Sequence, residues 1–179
     1  MKRAANIIML AGIGLAGCAT DRAAEAPPAA ASPAASAEVR DVSGRSWARA
    51  GAVQLGDSIR VSIEAAGMAP GTYAAHVHTT GRCDAPDFTT AGPHWNPTGQ
   101  QHGKDNPQGM HKGDLPNLLI GSERRGTLEY TIPSASVSGG ASPLLDADGA
   151  SVVIHAKPDD YRTDPAGNAG ARVACGVLG

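Results

Sequence analysis

The sequence predicts an all-β protein, an antiparallel sandwich or barrel of about eight strands. Three observations carry this. Apolar and polar residues alternate in six runs, over 53–55, 58–65, 72–78, 126–132, 150–156 and 171–177, as they do where successive side chains point to opposite faces of a strand. Clusters of Gly, Pro, Asp and Asn, such as Ala69-Pro70-Gly71, separate the runs and mark turns. Apolar residues at helical spacing are nearly missing.

Before the first strand comes a targeting segment. Lys2 and Arg3 precede an apolar, small-residue run over 4–17, too short for the roughly 20 residues that span a bilayer as a helix. A signal peptide over 1–17 is therefore expected rather than a permanent span. Its end, Leu15-Ala16-Gly17-Cys18, resembles the bacterial lipobox, in which the cysteine is lipidated and becomes the first mature residue; the alternative is a plain signal peptide cut elsewhere. Lipidation of Cys18 would anchor the chain to a membrane, each buried methylene adding about 0.8 kcal/mol. Ala19, in place of an aspartate, points to the outer membrane, so a periplasmic or cell-envelope location is expected. Residues 23–37 are almost entirely Ala, Pro and Ser, a tether that buries too little to offset its ordering entropy. The remaining residues, 38–179, suit one domain.

Within that domain, weaker runs at 38–42 and 117–121 complete the set of about eight strands. Two stretches interrupt it, 80–116 and 157–170. A long structureless loop in a compact domain needs something other than a core to order it, and metal or a disulfide are the usual agents.

Lys2 and Arg3 leave with the leader, so the 15 basic residues become 13 against 17 acidic ones, a mature net charge of −4. Nothing here asks for nucleic acid. An anionic substrate would be repelled at a distance and drawn in only by a local positive spot, for which Arg172 is the candidate. With Cys18 taken by lipid, Cys83 and Cys175 remain. Export to an oxidising compartment makes one disulfide the natural reading and two unpaired thiols the alternative.

Five of the six histidines lie in the first interruption or on the strand just before it, and the sixth immediately precedes the second. His76 and His78 share a strand face while Tyr73, Ala75 and Val77 point to the other, and two imidazoles on one face can bind one metal. His94, His102, His111 and Asp114 lie in the first loop, three imidazoles and a carboxylate that make a complete tetrahedral zinc shell of structural character. His155 ends the apolar run Val152-Val153-Ile154, with Val152 and Ile154 facing the core. Joined to His76 and His78 it offers copper three nitrogens, and a fourth from the loop would complete the tetragonal environment Cu(II) favours. The loop would then have to share a ligand. Read singly, each of these is an ordinary loop or strand-end residue.

Together the motifs resemble the copper/zinc superoxide dismutases: His76-Val77-His78, Gly92-Pro93-His94-Trp95-Asn96-Pro97, His102-Gly103, His111-Lys112-Gly113-Asp114-Leu115 and Gly167-Asn168-Ala169-Gly170-Ala171-Arg172-Val173-Ala174-Cys175-Gly176. The likeness spans roughly residues 67–179 and is loose before them. It implies an immunoglobulin-like Greek-key β-barrel of eight strands with two long functional loops. It implies that His94 bridges the two metals, that His76, His78 and His155 complete the copper site, and that His102, His111 and Asp114 complete the zinc site. Asp159 matches the carboxylate that hydrogen-bonds the outer nitrogens of a copper and a zinc histidine, here expected to be His78 and His102. Arg172 matches the arginine that attracts the anion, and Cys83 and Cys175 match an intrasubunit disulfide. The segment 161–166 resembles bacterial members and lacks a guiding loop rich in Lys and Glu, and Trp95 reads equally as core or as a partner contact.

On that resemblance the expected activity is disproportionation of two superoxide anions to oxygen and hydrogen peroxide, with copper cycling between Cu(II) and Cu(I), zinc structural, and His94 and Arg172 catalytic. The resemblance implies that His94 leaves copper on reduction and carries the proton delivered to the second superoxide. A rival from another class is a copper storage or delivery protein on the same fold, which would need neither Arg172 nor a bridging histidine. A third is a surface domain whose metals only hold its loop. A homodimer is left open.

Overall fold

The computed structural model describes residues 34–179. The leader over 1–17, Cys18 and most of the tether lie outside the described residues. The domain starts earlier than Glu38. Strand β1 spans Ala35–Asp41, with Ala35, Ala37 and Val39 buried. An Ala-Ser-Ala run reads as linker by composition, yet its period of two still presents one small apolar face.

Ten more strand segments follow: β2 (Ser46–Leu55), β3 (Ser58–Ala66), β4 (Gly71–Tyr73), β5 (Ala75–His78), β6 (Leu118–Ile120), β7 (Arg125–Ile132), β8 (Ser136–Ser138), β9 (Pro143–Leu145), β10 (Ala150–His155) and β11 (Arg172–Leu178). The one helical element among the described residues is a 3-10 turn, Thr89–Ala91. Counting β4 and β5 as one interrupted strand and setting aside the short parallel pair β8/β9 leaves the eight strands expected. The interruption falls at Ala74. Its N–H donates to Lys157 O at 2.9 Å and its carbonyl accepts from His155 N–H at 2.9 Å, so its backbone bonds the end of β10 and the start of the second loop. β2 begins at Ser46, well before residue 53, because Trp47-Ala48-Arg49-Ala50-Gly51-Ala52 alternates with small residues that give little contrast.

One sheet runs β5-β10-β11-β1-β2-β3-β7, antiparallel throughout. β4 pairs with β6, and β6 turns into β7 with Gly121 N–H donating to Arg125 O at 3.0 Å. The sheet therefore curls and closes. The connections β3 to β4 and β7 to β10 cross between non-neighbours, which is Greek-key order. Ile59, Val61, Ile63, Leu118, Ile132, Val152 and Ile154 fill the interior, each 2 % exposed or less. At about 1.5–3 kcal/mol for each fully buried aliphatic side chain, they supply the main drive for closure.

β5 is an edge strand of the main sheet, and an open edge exposes unpaired backbone groups. The first loop covers it. Val77 N–H donates to Gly113 O (2.9 Å), Val77 O accepts from Trp95 N–H (2.8 Å), Thr79 N–H donates to Pro93 O (3.0 Å) and Gly113 N–H donates to Trp95 O (2.8 Å). Gly113 lies so close to Val77 O that a Cβ there would collide with it. Trp95 is 4 % exposed and packs in the main core, which settles it as a core residue. Beneath the rest of the loop, Phe88, Ala91, Val153 and Cys175 form a second apolar cluster. Cys83 is bonded to Cys175 across a sequence separation of 92 residues.

Candidate metal centre

The loop pinned to β5 brings its histidines beside those of the strands. His78 and His94 face each other in an antiparallel bridge, as do His76 and Asp114. Donor atoms of His76, His78, His94 and His155 all lie within 4.8 Å of one another, and all four residues are buried. Nδ1 of His76 and Nε2 of His78, His94 and His155 have no hydrogen-bond partner. Leaving a buried polar atom unpaired costs about 1–3 kcal/mol, so four such atoms aimed at one point mark a cavity shaped for an ion. Four nitrogens at about 2 Å from a metal span roughly 4 Å, close to the spacing here. An all-imidazole set suits copper.

The second set centres on Asp114. Its Oδ1 lies 2.9 Å from His94 Nδ1, 3.0 Å from His102 Nδ1 and 3.1 Å from His111 Nδ1. His111 Nδ1 and His94 Nδ1 are 3.4 Å apart. Donors about 2.0–2.1 Å from a tetrahedral zinc are separated by roughly 3.3 Å, so three nitrogens and one oxygen already stand near the corners of that shell. His76 also falls within 4.8 Å of His94, His102 and Asp114. Its Nε2 is engaged by Asp159 and its Nδ1 belongs to the first set, which leaves His111 as the fourth donor of the second. His94 faces both sets, Nε2 to one and Nδ1 to the other.

The outer nitrogens are held by the rest of the fold. Asp159 bonds His76 Nε2 at 2.8 Å and His102 Nε2 at 2.9 Å. The expected partner from the first set was His78, and the structure corrects this to His76. Two residues along a strand is a step of about 6.5 Å, which carries His78 away from Asp159 to Gly92, whose carbonyl accepts from His78 Nδ1 at 2.9 Å. His155 Nδ1 bonds Gly170 O at 3.2 Å. Asp159 is itself clamped, its N–H donating to Asn117 Oδ1 (2.8 Å) and its carbonyl accepting from Asn117 Nδ2 (3.0 Å), while Asn117 N–H donates to Tyr161 Oη at 2.8 Å. Asn117 escaped the sequence reading because it binds main chain 42 positions away; its only sequence mark is its place directly after the loop, behind Leu115-Pro116.

Arg172 is paired across the ladder with His155. Its Nη1 donates to Phe88 O and its Nη2 to Gly92 O, both at 2.7 Å. The Gly92 carbonyl therefore holds both the guanidinium and His78.

These surroundings set the charges. Burial pushes the His94 imidazole down to about 4 and the His155 imidazole to about 3, and burial with the nearby His94 holds His78 well below the ordinary histidine range. Arg172 adds to the depression of His78 and His155. Burial also opposes charging of His102, but its bonds to Asp114 and Asp159 outweigh this and raise it to about 9. Asp114 and Asp159, against the effect of burial, are held far below the usual carboxylate range by the histidines they bond.

Comparison with known proteins agrees with this geometry. Residues 48–178 match the model of the copper/zinc superoxide dismutase family. The chain is 44 % identical over 135 residues to the Cu-Zn superoxide dismutase of Caulobacter vibrioides, covering 72 % of this chain and 78 % of that one. It is 34 % identical over 193 residues to the superoxide dismutase-like protein YojM of Bacillus subtilis, covering 99 % and 96 % of the two chains. The crystal structure of a superoxide dismutase-like protein from Bacillus subtilis superposes with a TM-score of 0.75 at 34 % identity, covering 80 % of this chain and 97 % of that one. The cofactors of the family are copper and zinc, and the two donor sets fit them. The chain belongs to the copper/zinc superoxide dismutase family.

Proposed function

We propose that this chain is an active superoxide dismutase of the bacterial cell envelope, anchored through a lipid on Cys18 and acting on external superoxide. His76, His78, His94 and His155 hold copper, and His94, His102, His111 and Asp114 hold zinc. When bound, copper supplies a one-electron couple by which two superoxide anions and two protons become oxygen and hydrogen peroxide.

The chain's own residues do the rest. Arg172 supplies a permanent positive charge with several donors for a small oxyanion, which a domain of negative net charge needs close to its reacting centre. Its two carbonyl bonds fix it beside His155, where its charge draws the anion toward the copper donors. His94 Nε2 is the atom that takes up a proton and hands it to the departing peroxide. Asp159 and the Gly92 and Gly170 carbonyls orient the rings. The observation that carries the reading is Arg172 locked across the ladder from His155 and onto the same carbonyl as His78, because a protein that only stored or delivered copper has no use for an anion site there.

The test is dismutation by the chain loaded with zinc alone, with copper and zinc, and with both in an Arg172→Ala variant. Fast turnover that requires copper and drops at least tenfold in the variant supports the enzyme. One-to-one copper binding with turnover no better than the zinc-only sample would mean copper storage or delivery. A diacylglyceryl mass on the peptide beginning at Cys18 tests the anchor.

A further inference from the structure

Resting on the zinc reading above, we infer that Asp164 is a positioning residue for that site, the acceptor that His111 requires once its Nδ1 binds the metal. Every other histidine of the two sets has its outer ring nitrogen engaged by a neighbour: His76 and His102 by Asp159, His78 by Gly92 O and His155 by Gly170 O, while His94 turns a nitrogen to each set. His111 differs. Its Nδ1 lies against Asp114 Oδ1 and His94 Nδ1, and among the described residues its Nε2 has no partner within hydrogen-bond distance. The nearest acidic oxygen is Asp164 Oδ1, 4.0 Å away.

A neutral imidazole carries its one proton on one ring nitrogen and a lone pair on the other. A metal bound through the Nδ1 lone pair leaves that proton on Nε2. The same Asp164 oxygen then becomes a hydrogen-bond acceptor for it, and a metal-bound imidazole almost always finds one. Asp164 is well placed. Its Oδ1 already accepts the backbone N–H of His102, another residue of the zinc set, at 2.6 Å. Its side chain is 49 % exposed, and it lines the same groove as His111. Asp164 thus ties the second loop to the zinc set at two of its members.

The test is zinc affinity of the full chain by chelator competition, for the native protein and for Asp164→Asn, Asp164→Ala and Asp146→Asn. Asparagine keeps an oxygen for the His102 N–H and loses only the charge. Asp146 lines the same groove without approaching His111 and serves as the control. We expect Asp164→Asn to weaken zinc about tenfold and Asp164→Ala more, within the 10–100-fold range for loss of an outer partner. Copper affinity and the Tm of the metal-free chain should stay unchanged in Asp164→Asn, Asp146→Asn should bind zinc as the native chain does, and the visible band of the cobalt-substituted site should shift in Asp164→Asn. Native zinc affinity in Asp164→Asn overturns the inference, with or without a loss in Asp164→Ala, since the role would then be the loop tie alone. A native chain that takes up no zinc overturns the zinc assignment and this inference with it.

Discussion

Asp159 shows how much of the centre depends on one carboxylate. One oxygen orients His76 of the first set and the other orients His102 of the second, so the two donor sets share a support. Asparagine at this position has one accepting and one donating end. It can satisfy one ring but presents an N–H to the other, whose Nε2 already carries a proton when its Nδ1 binds metal. Asp159→Asn is therefore expected to lower affinity for copper and zinc together, at least one of them 10–100-fold, read by chelator competition for each metal. A variant with both affinities intact would show that the rings are oriented without it. The candidate donors that the structure gathers were legible in the sequence because their chemistry is carried by residue type and spacing. Which donor Asp159 reaches was not, because that depends on how far apart His76 and His78 stand along β5. Asn117 was not legible either, since what it recognises is main chain.

At the scale of elements, the centre is made where a loop with only a small apolar cluster beneath it is sewn to the open edge of β5. Alternation in 72–78 and 150–156 was enough to place three histidines on sheet faces, and the long interruption at 80–116 was enough to predict ordering by something other than packing. The break at Ala74 and the first half of β2 were hidden because small residues leave the alternation without contrast, and the parallel pair β8/β9 because strands of three residues are too short to show a period. The disulfide completes the attachment. Cys83 holds the start of the loop to β11, and further along the same loop come Phe88 and Gly92, whose carbonyls fix Arg172. Closing a loop of this length is worth on the order of 4–5 kcal/mol in the chain-entropy model. Cys83→Ser with Cys175→Ser should therefore lower Tm by many degrees, and in the metal-loaded protein at low temperature should also reduce kcat/KM as Arg172 loses its fixed place. Stability lost with kcat/KM unchanged would separate the arginine from the disulfide loop.

For the whole molecule, the buried centre sets how stability depends on pH before any metal is bound. His78, His94 and His155 are held neutral by burial, while in the unfolded chain a histidine titrates near 6.5. As pH falls below about 6.5 the unfolded chain takes up protons that the folded chain refuses, so stability declines toward pH 4. The lowered Asp114 and Asp159 extend the loss, because their contribution is present above about 4 and disappears as pH falls further. His102 acts in the opposite direction. Its folded value of about 9 lies above the unfolded one, so its contribution is full below about 6.5 and fades as pH rises through 9. The metal-free protein should accordingly be most stable near pH 7 and lose Tm on both flanks. Zinc changes the alkaline flank, since the His102 proton between Asp114 and Asp159 must leave for the metal to bind. Zinc added at pH 7.5 in weak buffer should release a proton, and the zinc-loaded Tm should be level from about pH 7.5 to 9. A metal-free Tm that holds steady up to pH 9, with no proton released on zinc binding, would show that His102 is neutral in the folded chain.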